Sequence, residues 1–350
     1  MRALASIAFI VIIYIFLKMP QFFHFLKKDN CIHVFAWTNM IDEKIINQFE
    51  KESGIKVLIN YYDDSSELLF KLYTTRAKGY DIVFSSDYIV SDLIKSGLLK
   101  KIDKSKLNFL NKIDSEFLGH YYDPQNEFFI PYEWAIYGIG IDKRFFGNKL
   151  PEASWNSIFS TPFDYKIEML DEAKQAVLLA SWYLFGSVDS VDEVMAEKIK
   201  ALLIKQKPYV EVYRELLADY LVSSGNCPIV VAPNYLIWKT MRYDKHVTFM
   251  FPKEGSFMII DGAILPSATK KDDLVYEFLN YIYQDNIVRY HIRKYGNLMT
   301  NMEILKQEVS KNPEMATVIP SKKYMQNIVF FKSILSKKIL NQIWLGLMSR

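Results

Sequence analysis

The feature that most constrains this chain is an alternation of short buried strands with helices, which begins at residue 32. The apolar run 32–37 predicts a strand, and apolar residues at helical spacing over 41–49, closed by Gly54, predict a helix after it. The same order repeats with strands at 57–61 and 80–84. Strands that are separated by crossover helices form a parallel sheet with helices on both faces. The sequence therefore predicts an α/β fold for this part of the chain.

A second strand and helix pattern follows Pro151. It predicts a strand at 166–170, a helix at 171–185 and a buried strand at 229–232. A chain of 350 residues, of which 50% are hydrophobic, is long enough to bury two cores. We therefore expect two α/β lobes, with the chain returning to the first lobe after Phe251.

The N-terminus has the character of an export signal. Met1 and Arg2 precede an uninterrupted apolar run at 3–17, and no small-residue cleavage site follows it. We expect residues 1–31 to be an uncleaved signal anchor with a juxtamembrane segment, which holds the protein in the periplasm at the outer face of the cytoplasmic membrane. The alternatives are a buried first helix, or lipidation at Cys31.

Composition and motifs exclude several functional classes. The 43 basic and 40 acidic residues leave a net charge of +3, which gives no electrostatic reason to expect a nucleic-acid partner. The two cysteines, Cys31 and Cys227, and the five histidines show no zinc-ligand spacing. No nucleophile elbow and no phosphate-binding glycine loop occurs. We therefore predict a protein without enzymatic activity, metal or cofactor.

Polar and aromatic side chains follow the predicted strands at their carboxyl ends. Trp37 and Thr38 follow the first strand, residues 85–88 follow the third, and residues 171–172 follow the first strand of the second lobe. Ligands of open α/β sheets bind outside these strand ends. Aromatic faces, carboxylates and hydroxyls together suit a flexible ligand that carries ammonium groups.

Each of these residues also has a purely structural interpretation. Asp171 and Glu172 could cap a helix, and Trp37 could belong to the core. Asp261 lies between apolar segments, where a carboxylate without a partner would be costly. It therefore calls for a cationic ligand, an internal salt bridge or a turn at 261–262.

Six stretches of the chain occur in an order that is typical of one protein family. They are 35–38 (FAWT), 48–57 (QFEKESGIKV), 80–83 (YDIV) with 86–88 (SDY), 101–107 (KIDKSKL), 130–134 (IPYEW) and 252–255 (PKEG). In these stretches the chain resembles the spermidine/putrescine-binding proteins of polyamine ABC importers. The resemblance runs from about residue 32 to Gln326 and is thin between 175 and 245.

The resemblance implies a type II periplasmic-binding fold, in which two lobes joined by a hinge close over one polyamine. We place the first lobe at 32–135 and 260–306, and the second at 136–259 and 307–350. It also implies a monomer that delivers its ligand to ABC permease subunits in the membrane. The alternatives are a binding protein for another small cationic solute, and a module that senses polyamine without transport.

Matching the chain to the family position by position implies a set of ligand contacts. Two carboxylates at the edge of the predicted cleft, Asp87 and Glu133, are added to that set. The predicted ligand-binding residues are Trp37, Thr38, Ser86, Asp87, Tyr88, Glu133, Glu172, Gln175, Asp261 and Gln326.

The chain departs from the family at several of the implied contacts. Gln175 stands where a second acid is usual, Pro233 and Ile259 stand at aromatic positions, and Met40 replaces a tyrosine. The cleft is therefore expected to have lost negative charge and aromatic surface. Asp261 and Glu172 remain as the two acids that can neutralise a diamine.

Overall fold

The fold is described by a computed structural model, which covers residues 30–38, 40–147, 149–186, 190–331 and 336–349. The predicted anchor lies almost entirely outside these residues, so the structure leaves that prediction open. Within the described ranges, no helix combines the length and the apolar character needed to cross a membrane.

Strands and helices alternate along most of the described chain. The strands are β1 (Cys31–Trp37), β2 (Lys56–Tyr62), β3 (Ile82–Ser86), β4 (Phe129–Asp142), β5 (Ile167–Met169), β6 (Val210–Tyr213), β7 (Ile229–Pro233), β8 (Val247–Met250), β9 (Ser256–Ile264), β10 (Leu298–Met299) and β11 (Ile328–Phe330). The helices are α1 (Glu43–Ser53), α2 (Ser65–Thr75), α3 (Val90–Lys95), α4 (Lys143–Phe146), α5 (Asn156–Phe159), α6 (Ala173–Phe185), α7 (Glu193–Gln206), α8 (Ala218–Ser224), α9 (Asn234–Met241), α10 (Asp272–Ile282), α11 (Asp285–Tyr295), α12 (Met302–Lys311), α13 (Lys322–Met325) and α14 (Lys337–Met348).

The first helix illustrates how the local sequence sets the boundaries of an element. The Asp42 side chain accepts a hydrogen bond from the backbone N–H of Lys44 and so caps the N-terminus of α1. Gly54 ends the helix at φ 72°, and its N–H donates to the carbonyl of Glu50. A residue with a side chain would be strained in this left-handed conformation, which is why the glycine marks the helix end. The predicted end of α1 is confirmed.

The strands pair in the order β2-β1-β3-β9-β4-β7-β5-β6, with β8 and β10 on β4 and β11 on β9. The groups β2-β1-β3 and β7-β5-β6 are parallel, as the alternation of strands and helices predicts. We call the β2-β1-β3 side the first lobe and the β7-β5-β6 side the second lobe. The architecture is thus the two-lobed α/β fold that the sequence predicts, while the exact lobe boundaries stay a prediction.

Two long antiparallel strands lie between the lobes. β4 pairs with β9 from Phe129 to Ile136 and with β7 and β8 over its C-terminal half. Pairing is so close that a Cβ on Gly262 would lie 2.3 Å from the carbonyl oxygen of Ile130. A glycine is therefore required beside Asp261, and the β9 backbone is held tightly against β4. These strands are antiparallel because the chain crosses to the second lobe along β4 and returns along β9.

Candidate functional site

A cleft opens where the carboxyl ends of five strands meet, and it encloses about 260 Å³. This volume is close to the lower limit of ~300 Å³ for small-molecule sites. Its lining includes residues from the ends of β1, β3 and β7 and residues that follow β5 and β6. The position agrees with the rule that open α/β sheets bind ligands outside the carboxyl ends of their strands.

Asp261 lies within β9, at the centre of the polar surface of the cleft. Its register partners are Ser86 on β3 and Glu133 on β4. The Ser86 hydroxyl donates a hydrogen bond of 2.5 Å to the Asp261 carboxylate. Burial raises the pKa of Asp261 to about 6, although the side chains of Ser86 and Trp37 lower it. Asp261 is therefore neither a turn residue nor, among the described residues, part of a salt bridge.

Glu133 faces Asp261 across the β4–β9 pairing. Its carboxylate accepts a hydrogen bond of 2.5 Å from the side-chain amide of Asn297. Burial and the neighbouring charge of Asp261 raise the pKa of Glu133 to about 8. Two neighbouring carboxylates repel each other, and a proton or a cation beside them relieves this repulsion.

Glu172 precedes α6 on the second lobe. It occupies the N-cap position, but its side chain makes no capping hydrogen bond. Instead its carboxylate accepts a hydrogen bond of 3.2 Å from the hydroxyl of Tyr88, on the first lobe. The same hydroxyl lies 2.5 Å from that of Ser65. Burial raises the pKa of Glu172, while Lys174 lowers it. The structural interpretation of this acid as a helix cap is therefore wrong.

Aromatic rings form part of the cleft wall. Trp37 is partly buried and packs against Tyr62 at 4.4 Å between ring centroids. Tyr137 stacks on Phe257 at 4.5 Å and presents its hydroxyl to the cleft. Tyr235 also lines the cleft. Met40, Pro233 and Ile259, the positions at which the resemblance implies the loss of an aromatic ring, line it too. The wall is thus less aromatic at those positions but retains aromatic faces.

The structure brings most of the predicted site residues together and leaves two outside. The predicted residues that line the cleft are Trp37, Thr38, Ser86, Tyr88, Glu133, Glu172, Gln175 and Asp261. Asp87 is buried and is not among the lining residues. It lies after the end of β3, in a 3-10 turn over Asp87–Ile89. Burial and Asp261 raise the pKa of Asp87 well above its ordinary value. Gln326 is exposed at the end of α13, also outside the lining.

The sequence interpretation missed a further carboxylate, Glu215. It lies in the cleft and accepts a hydrogen bond of 2.9 Å from the hydroxyl of Tyr137. Burial and nearby acids raise the pKa of Glu215 to about 8, although Tyr137 lowers it. The feature that points to Glu215 is the strand β6, which ends two residues earlier at Tyr213. The sequence analysis did not predict this short strand, so it did not place Glu215 at the carboxyl end of a strand.

The cleft has an excess of acidic side chains. Seven carboxylates and two basic side chains line it. The two basic residues already have acidic partners, since Arg214 lies 3.9 Å from Asp171 and Lys239 lies 3.4 Å from Asp219. Within the part of the chain that the structure describes, five lining acids form no ion pair, and one of them, Asp63, is exposed. The four that are partly buried are Glu133, Glu172, Glu215 and Asp261. This arrangement suits a ligand that carries several positive charges.

Among the described residues, no three histidine, cysteine or acidic side chains are grouped so that they could hold a metal ion.

The raised pKa values predict how the stability of the ligand-free protein depends on pH. Glu133 and Glu215 have pKa values of about 8 in the folded protein, against ~4.3 in an unfolded chain. Between these values the folded state binds more protons than the unfolded state, so the free energy of unfolding falls as pH rises. We expect the melting temperature to fall between pH 6.5 and 8. That window avoids His291, whose pKa is lowered to about 4 and whose effect has the opposite sign.

The matched control for this prediction is the double variant Glu133→Gln/Glu215→Gln, in which the fall should be smaller. A melting temperature that rises through the same pH window in the parent protein would contradict the prediction.

Comparison with known proteins gives a family match over most of the described chain. The model of a family described as bacterial extracellular solute-binding protein matches residues 77–318. This range contains Glu133, Glu172, Glu215 and Asp261, the four partly buried acids of the cleft that form no ion pair.

Characterised relatives and a solved structure extend the match to almost the whole chain. The chain is 24% identical to the spermidine/putrescine-binding periplasmic protein of Escherichia coli strain K12 over 302 residues, which is 85% of this chain and 86% of that protein. It is 28% identical to the putrescine-binding periplasmic protein PotF of the same organism over 312 residues, 82% of this chain and 83% of that one. The spermidine/putrescine ABC transporter substrate-binding protein PotD of Streptococcus pneumoniae strain Canada MDR_19A has the same fold, with a TM-score of 0.76 and 22% identity over 91% of this chain and 98% of that one.

Proposed function

Because the chain belongs to the family of bacterial extracellular solute-binding proteins, we propose that it binds a polyamine in the cleft and delivers it to ABC permease subunits for import. The observation that carries this proposal is the group of four partly buried lining acids without a basic partner: Glu133, Glu172, Glu215 and Asp261. Two relatives are named as binding proteins for spermidine/putrescine and for putrescine, and these names support the same ligand class. The family is one of solute-binding proteins rather than enzymes, and we propose that the chain acts as a monomer without catalysis.

The cleft would recognise the charged ends and the apolar spacers of a polyamine separately. Ammonium groups would bind the carboxylates, with charge-assisted hydrogen bonds that are stronger than neutral ones. The methylene chain would lie against the rings of Trp37 and Tyr137, which also attract cations through their faces. A ligand that is held by Asp261 on β9 and by Glu172 beside α6 would contact both sides of the cleft at once. It would thereby favour the closed arrangement of the lobes that a permease could recognise.

Titration calorimetry on the full-length chain tests the proposal. We expect one saturable site per chain for putrescine or spermidine, because the acids converge on a single cleft. The control ligand is 1,4-butanediol, which has the length of putrescine but no charge and should give no signal. Even binding of about −4 kcal/mol would register at millimolar ligand. If putrescine, cadaverine, spermidine and spermine all fail at that concentration, the polyamine assignment is wrong.

We further propose that the N-terminus is retained and anchors the protein at the outer face of the membrane. The support is the apolar run 3–17, which has a basic start and no processing motif. Mass spectrometry of the protein from native membranes should find a chain that begins at or near Met1. A mature chain that begins at Cys31 with a lipid, or a shortened free protein, would refute the proposal.

A further inference from the structure

We propose that Glu215, together with Gln175 and Tyr137, forms a separate subsite for one ammonium group on the second lobe, so that the protein prefers a triamine to a diamine. This inference rests on the proposed polyamine function. Of these three residues, the sequence predicted only Gln175 as a ligand contact. Gln175 stands where the family usually has an acid, so the sequence predicted no negative charge at this place.

The hydrogen bonds of the subsite have one consistent direction. The side-chain amide of Gln175 donates to the Tyr137 hydroxyl at 3.3 Å, and the Tyr137 hydroxyl lies 2.9 Å from the Glu215 carboxylate. A tyrosine hydroxyl has one proton to donate and can also accept. Because the amide nitrogen of Gln175 can only donate, the Tyr137 hydroxyl accepts from it and directs its own proton to Glu215. The pair of bonds holds Glu215 as an oriented acceptor facing the cleft.

Gln175 adds a second acceptor at the same place. Its side chain is only 5% exposed and lines the cleft, and its amide oxygen has no hydrogen-bond partner among the described residues. A buried acceptor without a partner costs free energy, which a bound N–H group would recover. The amide nitrogen is already used by Tyr137. The subsite therefore offers a carboxylate and an amide oxygen to the cleft, which is the pattern that an ammonium group requires.

The subsite has polar partners of its own. Asp261 is hydrogen-bonded by Ser86, Glu133 by Asn297 and Glu172 by Tyr88. Glu215 shares none of those donors, and no lysine or arginine of the described chain forms an ion pair with it.

A diamine has only two ammonium groups, which would bind Glu172 and the facing carboxyl groups of Asp261 and Glu133. Glu215 would then have no cation beside it in the closed cleft, so its carboxyl group would either keep its proton or bear the desolvation cost of its charge. The third ammonium of a triamine such as spermidine would fill this position. The preference for the longer ligand follows from the number of charges that the cleft must neutralise.

The test compares spermidine with putrescine in the full-length protein by calorimetry. Glu215→Gln keeps the shape and the hydrogen bond from Tyr137 but removes the charge. We expect it to weaken spermidine binding by about 10- to 100-fold and putrescine binding by less than about 3-fold, since loss of one desolvated charge pair is felt only by a ligand that uses it. The control is Glu211→Gln, the same substitution at an exposed position on β6, which should change neither affinity.

Gln175→Leu provides an independent variant if Glu215→Gln does not fold, as checked by circular dichroism. It removes the free amide oxygen and leaves the Tyr137–Glu215 hydrogen bond in place, so spermidine affinity should fall selectively but less. Equal losses for the two amines in folded variants, or unchanged spermidine affinity, would overturn the inference. If the parent protein binds neither amine, the polyamine function itself is wrong and the inference is lost with it.

Discussion

Asp261→Asn is expected to weaken polyamine binding by about 30-fold to several thousand-fold. The carboxylate lies on β9 between Ser86 and Glu133, and burial already raises its pKa to about 6. When the lobes close, an ammonium group bound here would be desolvated and would depend on this charge. Removal of one partner of a buried charge pair typically costs about 2–5 kcal/mol.

The measurement is the dissociation constant of spermidine, obtained by calorimetry on the parent and the variant. Asparagine can still accept the hydrogen bond from Ser86, so the fold should be kept, and circular dichroism would verify it. Asp92→Asn, the same change at an exposed position on α3, is the control and should leave affinity within about 2-fold. A folded Asp261→Asn protein with parental affinity would show that the acid is structural and that the site lies elsewhere.

Glu172→Gln is expected to weaken polyamine binding by about 30-fold or more, because it too removes one partner of a buried charge pair. Its carboxylate makes no capping bond and accepts from Tyr88 across the cleft, so it remains available to a ligand. Lys174 lowers the pKa of Glu172 but forms no ion pair with it among the described residues. Binding by the parent would therefore depend on this acid for its second ammonium group.

The double variant Asp261→Asn/Glu172→Gln shows whether the two acids bind different ammonium groups. If they do, the free-energy losses of the single variants should add within about 0.5 kcal/mol, as is usual for sites that share no partner. The same calorimetric titration provides the measurement, with Glu211→Gln as the control. A double variant no weaker than either single variant would mean that both acids share one ammonium group, and a Glu172→Gln protein with parental affinity would remove this acid from the site.

Local sequence patterns predicted much of the fold. The parallel pairing of β1 with β2 and β3 and the end of α1 at Gly54 follow from hydrophobic spacing and from a backbone conformation that favours glycine. The mixed character of the sheet was not predicted. The antiparallel strands β4 and β9 are almost entirely buried, so their side chains show no alternation that would reveal their direction or partners.

The sequence predicted some residues of the candidate site and missed others. The position of strand ends identified Trp37, Ser86 and Glu172. Asp261 was singled out by its place between apolar segments, with a ligand among its three interpretations, and the resemblance to a family implied the ligand contact. Gln175 was interpreted as a loss of negative charge. In the structure Glu215 supplies a carboxylate to the same hydrogen-bonded group, so the cleft retains acid on the second lobe.

The sequence by itself determined the order of elements and the chemistry at several strand ends, because both depend on neighbours within a few residues along the chain. Only the tertiary structure decided which acids face one another. Ser86 and Asp261 are 175 positions apart and Tyr137 and Glu215 are 78 apart, yet strand pairing and the packing of the second lobe bring them into hydrogen-bond contact. Such contacts depend on strand register, where a shift of one residue would turn each side chain to the opposite face. Local patterns carry little information about register, which is why the contact between Ser86 and Asp261 could not be predicted from them.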